Sequence, residues 1–395
     1  MKKICLCVVG IYLNLLAAFS QTAPQQDSTA YYHRKLKIEE MNLVSSYYQQ
    51  NGNNSAITGG IGTEKLTDFA NSFDLKLSKY DKHFRKHIFN LDLGVDSYTS
   101  ASSDKVDPGT ISSASAADIR FYPSLTWSME NEKKRTSIGA SASSSFEYDY
   151  QSFGLGVNFA KKSKDNNLEV SVKLQTYLDQ VTIIKPIELR NGSDDGGRSP
   201  RNTYNGSFSI SQIINKRLQV LLLADVAYQK GYLGLPFHRV YFNDNSLRVE
   251  NLPNTRLKIP IGLRLNYFLG GKIVLRSLYR FYKDDWGLTA HTADLEATYK
   301  ITPFFSISPF YRFYTQSSID YFAPYKMHNI QKTFYTSNYD LSKFNSGFFG
   351  AGFRFTPPDG VFGIKHWNMI ELRYGHYNRS TVLAANIISL NLKFK

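Results

Sequence analysis

The sequence predicts an all-β fold, a transmembrane antiparallel β-barrel of about 16 strands with short periplasmic turns and long extracellular loops. Three observations point there. The first is the stretch from Gly271 to Ser317, which reads as three strands running back and forth with almost no connecting residues. In its first strand Ile273, Leu275, Tyr279 and Phe281 share one face while Lys272, Arg276 and Arg280 share the other, the two-residue period of an extended chain. The second strand sets Ala293, Leu295, Ala297 and Tyr299 against Asp294, Glu296, Thr298 and Lys300, and the third sets Phe305, Ile307, Tyr311 and Phe313 against Ser306, Ser308, Arg312 and Gln316. Each strand is about twice the 5–6 residues usual in soluble sheets. An apolar face backed by a charged one fits a wall between acyl chains and a watery lumen. The second observation is composition. Beyond the N-terminus no stretch reaches the roughly 18 uninterrupted apolar residues that a spanning helix needs, and 27 Tyr and 27 Phe against 3 Trp suit two interfacial aromatic girdles. The third is that the connections alternate between short and long.

In chain order, residues 1–20 read as a secretory signal peptide: Lys2 and Lys3, an apolar run from Ile4 to about Leu16, then small residues at Ala18 and Ser20. The run is too short to span a membrane. Cys5 and Cys7 lie inside it, so the mature chain has neither a disulfide nor a thiolate for catalysis or metal binding. Removing Lys2 and Lys3 takes the formal charge from +14 to +12. The basic residues are spread along the strands without a block or motif for nucleic acid, so no nucleic acid partner is expected, and anionic lipid headgroups are the expected neighbours. Residues 21–39 are polar and aperiodic, a periplasmic N-terminal tail, and the barrel occupies 40–395.

Strands are predicted at 41–50, 66–79, 87–99, 116–127, 136–149, 153–161, 168–179 and 204–214 in the first half, and at 217–228, 256–269, 272–282, 288–300, 304–315, 344–355, 364–377 and 383–394 in the second. Every second connection is short and turn-like, among them NK at Asn215, GG at Gly270 and TP at Thr302. Those between include all the long ones: 51–65, 100–115, 180–203, 230–255 and 316–343. The parity holds through all sixteen strands, so both termini fall in the periplasm, whereas a missed strand would put a long loop on the wrong side. In the last strand Ile388, Leu390, Leu392 and Phe394 share a face, a pattern resembling the C-terminal signal used by the barrel insertion machinery, here followed by Lys395.

Tyr279 to Glu296 (YRFYKDDWGLTAHTADLE), Pro309 to Phe322 (PFYRFYTQSSIDYF), Tyr335 to Phe344, Thr58 to Ser78 and Asp96 to Leu125 resemble the bacterial outer-membrane family catalogued as domain of unknown function 3570. The resemblance covers nearly all of the mature chain. It implies a barrel in the outer membrane of a Gram-negative bacterium, one of the Bacteroidetes, with outer-membrane lipid, lipopolysaccharide and periplasmic or lipoprotein partners around it. Genes of that family often neighbour those of flavin-transferring and thioredoxin-like envelope proteins, which points to a redox-linked envelope system without giving this chain a role in it.

Assigning strand faces separates the lumen charges. An acidic wall on the second to fifth strands comprises Asp68, Asp74, Asp92, Asp96, Asp118, Glu147 and Asp149, against Lys76 and Arg120. A basic wall on the tenth to fifteenth comprises Arg256, Lys258, Arg264, Lys272, Arg276, Arg280, Arg312, Arg354 and Arg373, against Asp294, Glu296 and Glu371. Facing each other, the walls would set up a transverse field for polar solutes; paired with neighbours, the same charges would stiffen the wall. His83 and His87 have a helical metal-pair spacing but lie in or beside a hairpin turn. The acidic loop segments 102–109 and 191–199 lack a calcium-loop ligand order. No serine nucleophile with a histidine and an orienting partner can be assembled by spacing around His291, so neither an enzyme, a metal nor a cofactor is expected. Two function classes stay open: a channel for small polar solutes filtered by the arginine wall, and a non-conducting structural or accessory barrel anchoring an envelope complex.

Overall fold

A computed structural model describes residues 35–99, 117–190, 196–235 and 237–395. The predicted signal peptide, most of the predicted tail, loop segment 102–109 and residues 191–195 lie outside them. The described chain is a closed antiparallel barrel of sixteen strands. In order these are β1 (Lys37–Gly52), β2 (Leu66–Tyr80), β3 (Lys86–Thr99), β4 (Ala117–Asn131), β5 (Thr136–Phe146), β6 (Tyr150–Lys162), β7 (Leu168–Thr182), β8 (Arg198–Asn215) and β9 (Leu218–Gly231). After a short hairpin, β10 (Arg239–Tyr241) and β11 (Leu247–Val249), the wall continues with β12 (Thr255–Leu269), β13 (Ile273–Asp284), β14 (Thr289–Lys300), β15 (Phe305–Gln316), β16 (Phe344–Phe355), β17 (Trp367–Arg379) and β18 (Leu383–Phe394). Each wall strand pairs with its sequence neighbours, and β1 pairs with β18 to close the ring, Met41 opposite Phe394 and Tyr47 opposite Ile388.

All sixteen predicted strands are present. The differences are at ends, and they have local causes. The fifth strand stops at Phe146 rather than Asp149, because Glu147 to Asp149 form a tight hairpin in which Glu147 N–H donates to Tyr150 C=O at 2.8 Å. The alternating sequence runs straight through that turn, so a period of two cannot locate it. β17 starts at Trp367 because residues 361–363 form a single helical turn with Phe362 at φ 54°. The β10–β11 hairpin lies inside what reads as an unbroken loop.

One face of every strand is apolar and exposed: Tyr47, Leu155, Leu174, Leu295, Phe349 and Ile388 retain 45–59% of their surface. In a soluble protein such a belt would be a large exposed patch. The opposite faces, which look into the ring, carry Ser, Asn, Gln, Gly and the charged residues described below. One end has short connections built by local chemistry, the longest being residues 356–366. Asp81 accepts N–H bonds from His83 and Arg85 (2.8 and 3.0 Å), Asn215 accepts from Arg217 and Leu218 (2.8 and 3.1 Å), and Gly270 takes φ 62°. The other end carries the long loops. Next to the tight-turn end the β1–β18 seam is sealed by Met41, Leu392 and Phe394 packed with Phe73, Trp367 and Leu390.

Candidate functional site in the lumen and at its mouth

The inner face from β12 to β17 carries the residues of the predicted basic wall except Lys272, which lies exposed in the β12–β13 turn, and most of them are tied to carboxylates. Arg256 contacts Asp284 (2.9 Å) and lies 4.3 Å over the Trp286 ring; Arg312 contacts Asp294 (2.8 Å); Arg354 contacts Glu371 (2.7 Å). Glu296 holds Arg276 at 2.7 Å through one oxygen and Arg373 at 2.6 Å through the other, and Arg373 also reaches Glu371 at 3.3 Å. Arg276, Glu296, Arg373, Glu371 and Arg354 thus form one alternating chain across β13, β14, β17 and β16. The link from β14 to β17 passes over two strands. Gly350 and Gly375, opposite each other on β16 and β17, make room for it: a Cβ on Gly350 would lie 2.8 Å from the Phe310 ring, and one on Gly375 would lie 2.5 Å from that of Phe348. Both rings therefore lie against bare backbone, and Arg373 crosses Phe310 at 5.1 Å to reach Glu296. A cavity of about 190 Å³ remains between Asp294, Glu296, Phe310, Arg312, Phe348 and Arg373. Lys258, Arg264 and Arg280 have no ion pair among the described residues.

Three carboxylates of the predicted acidic wall are held differently, by neutral donors. Asp74 accepts from Asn42 (3.0 Å), Asp92 from Ser124 (2.8 Å) and Asp96 from Tyr122 (2.8 Å), with Asp74 directly opposite Asp92 on the neighbouring strand. One oxygen of Asp68 is buried without a hydrogen bond. Asp118, Glu147 and Asp149 come together at the long-loop end, with ligand oxygens within 4.8 Å of one another. Sequence spacing did not bring this trio out, since Glu147 and Asp149 read as strand residues. Tyr98 (2.8 Å) and Arg120 (3.4 Å) engage Glu147, and the N–H groups of Ile119 and Tyr148 engage Asp118 (2.7 and 3.1 Å). Burial pushes the Glu147 carboxyl above its ordinary range against the pull of Tyr98 and Arg120.

The largest feature that the strand pattern conceals is the assembly of loops over the mouth. The β1–β2 loop and the β9–β12 loop lie opposite each other in the ring, with six strands between them on either side. They nevertheless touch. Ile57 from the first packs with Phe237 from the second and with Ile184 from the β7–β8 loop, all three buried. Arg239, on the β10–β11 hairpin, donates to the Ile57 carbonyl (3.2 Å) and to Glu188 (2.9 Å). The β15–β16 loop joins on the far side of the hairpin: Tyr335 and Asn251 exchange backbone bonds (2.7 and 3.2 Å), and Val240, Phe242 and Tyr335 form a buried cluster. Beneath it Glu250 accepts from Leu235 N–H (2.7 Å) and from the Thr336 hydroxyl, with His238 3.7 Å away. Burial opposes ionisation of Glu250, but these neighbours outweigh it and hold the carboxyl below its ordinary range.

The remaining sequence candidates fall elsewhere. His87 is engaged by Asp81 (3.2 Å) and Trp127 (3.2 Å), so it forms no pair with His83. His291 is on the outer face, 2.8 Å from the Tyr279 hydroxyl. Phe394 stacks on Trp367 with centroids 5.9 Å apart, and Leu390 and Leu392 pair with Ser45 and Leu43 across the seam. Among the described residues no helix is long and apolar enough to cross a membrane.

A family model described as "Protein of unknown function (DUF3570)" matches residues 91–361. No curated protein matches the sequence. Among solved structures, OccD3 (OpdP) of Pseudomonas aeruginosa is 10% identical, covering 91% of this chain and 91% of that one with a TM-score of 0.44. A BenF-like porin from Pseudomonas fluorescens Pf-5 is 9% identical over 90% and 98%, with a TM-score of 0.40. The ferric enterobactin receptor PfeA of Pseudomonas aeruginosa is 9% identical over 86% of this chain and 54% of that one, with a TM-score of 0.47. These likenesses are distant; strand number and closure rest on this chain's own pairing.

Proposed function

We propose that this chain, which belongs to the family described as Protein of unknown function (DUF3570), is an outer-membrane channel for small polar solutes whose mouth is spanned by its own loops. In lipid every backbone polar group must be satisfied internally, and a closed barrel with an apolar outer belt does that. The tight-turn end then faces the periplasm and the long-loop end the exterior, with residues 1–20 a cleaved signal peptide, 21–36 a periplasmic tail, since residues 37–39 of the predicted tail already pair with β2 as the start of β1, and lipid, lipopolysaccharide and the insertion machinery as partners. The observation that carries the channel reading is the exposure of ion-paired arginines on the inner face. Arg276, Arg312 and Arg354 keep 46–50% of their side-chain surface exposed although each is ion-paired, which fits water beside the wall. The role is that of a conduit rather than an enzyme.

A second reading, the non-conducting accessory barrel that anchors an envelope complex, is favoured by the contact between opposite loops at Ile57 and Phe237. Planar-bilayer recording separates the two. A channel should conduct, and deleting the hairpin region 237–250 should raise its conductance. Silence from both wild type and the deletion variant, each correctly folded, would contradict the channel and leave the accessory barrel.

A further inference from the structure

The geometry points to a subsite on the β9–β12–β13 wall for a small anion carrying a hydrocarbon part, an alkyl or aryl carboxylate or phosphate monoester. It deepens the channel reading by naming a solute class. Two features mark this patch.

The first is charge without a partner. Five arginines of the basic wall are tied to carboxylates at 2.9 Å or less. Arg264 and Arg280, both exposed on the inner face, have no ion pair and no side-chain hydrogen bond among the described residues. Arg280 sits opposite Gly262, two residues from Arg264 on β12, so the two arginines are diagonal neighbours. Diagonal positions are about 7–8 Å apart at the backbone, within which two long guanidinium side chains can converge on one carboxylate or phosphate.

The second feature is apolar surface where a lumen is expected to be polar. Arg264 is flanked on the inner face by Leu221 on β9 and Leu278 on β13. Leu223 lies opposite Gly262 on the same face. Gly262 leaves a notch between Leu223 and Arg280: a Cβ there would meet nothing closer than 3.7 Å. An inorganic anion would use only the guanidinium groups. A phenyl or alkyl group attached to the anion would also cover leucine surface, and each buried methylene contributes about 0.8 kcal/mol.

The test is isothermal titration of the full-length barrel in lipid nanodiscs with phenyl phosphate, hexanoate, inorganic phosphate and benzyl alcohol, with empty nanodiscs subtracted. Phenyl phosphate and hexanoate should bind, inorganic phosphate should bind about tenfold more weakly than phenyl phosphate, and benzyl alcohol should give no signal. Arg264→Gln with Arg280→Gln should abolish binding of all anions, while Arg276→Gln, a paired arginine, should change it less than about twofold. Leu221→Asn with Leu278→Asn should bring phenyl phosphate down to the level of inorganic phosphate and leave the latter unchanged. Heat-modifiable migration checks that each variant is folded; Gly262→Leu, which fills the notch and removes no charge, should weaken phenyl phosphate selectively. Equal binding of phenyl phosphate and inorganic phosphate by wild type, or undiminished binding by the double-arginine variant, would overturn the subsite. Binding by a barrel that is silent in bilayers both as wild type and with 237–250 deleted would uphold the subsite and refute the channel. A conducting barrel that fails to bind phenyl phosphate would do the reverse.

Discussion

Glu64, in the β1–β2 loop, should make closure of the mouth pH-dependent. One of its oxygens is buried without a hydrogen-bond partner. Arg379 lies 3.9 Å away but is committed to Asp340 at 2.5 Å, so it gives Glu64 little. Burial first, and then the Asp340 charge, push the Glu64 pKa from 4.5 up to about 7 against the pull of Arg379. A carboxyl whose folded pKa is raised binds more protons folded than unfolded between those values. Its contribution to stability is therefore fully present below pH 4.5 and lost as pH rises to about 7. A shift of that size corresponds to about 3 kcal/mol of destabilisation at pH 8 relative to pH 4. Hydrogen–deuterium exchange of residues 53–65, corrected for the intrinsic rate, should show greater opening at pH 8 than at pH 5. Glu64→Gln should hold the loop closed at both, and Asp340→Asn should lessen the pH effect by freeing Arg379 to pair with Glu64. A pH dependence that survives Glu64→Gln unchanged would show that Glu64 does not govern the loop.

The topology predicts that a cysteine at Asp244 is labelled in intact cells by an impermeant reagent while one at Lys164 or Asp359 is not; labelling at Lys164 would defeat the assigned sidedness. Phe394→Ala removes the ring that stacks on Trp367 and packs with Met41 at the closing seam, a loss of about 3 kcal/mol. The folded fraction on heat-modifiable gels should fall, whereas deleting Lys395, which bonds to His366 at the end of the last strand, should change it little. Glu296→Gln breaks contacts to both Arg276 and Arg373 and should cost about 1–3 kcal/mol, read as a lower melting temperature in detergent. Neutralising Arg276 and Arg280 together should move the reversal potential in a salt gradient toward cations, and the change should fade near 1 M salt, where the screening length is about 3 Å; an unchanged potential would show that this wall does not filter ions.

Strand number and faces are legible in the sequence because both come from local chemistry: side chains alternate across a strand, and turn residues such as those at Asn215 and Gly270 mark where it reverses. The boundary at Phe146 is not legible, because the hairpin at Glu147 keeps the alternation going. The lumen charges can be assigned to faces by the same local rule. Their pairing cannot, since Glu296 reaches Arg373 across two intervening strands, and only Gly350, Gly375 and the rings of Phe310 and Phe348 make that path. The mouth is harder still. Ile57, Ile184 and Phe237 belong to three loops far apart in sequence, and nothing in any one of them announces the other two. Arg239 has the same property: two of its partners, Glu188 and the Ile57 carbonyl, belong to two other loops.

A hydrated lumen whose mouth is spanned by loops from opposite sides is tested in both respects by a cysteine pair at Ile57 and Phe237. The chain carries cysteine only at positions 5 and 7, so an engineered pair can be joined selectively by a short thiol cross-linker. Single-channel conductance of the same protein should be low while the link is intact and rise when it is cleaved. Failure to link across the mouth, or a conductance indifferent to the link, would contradict the account.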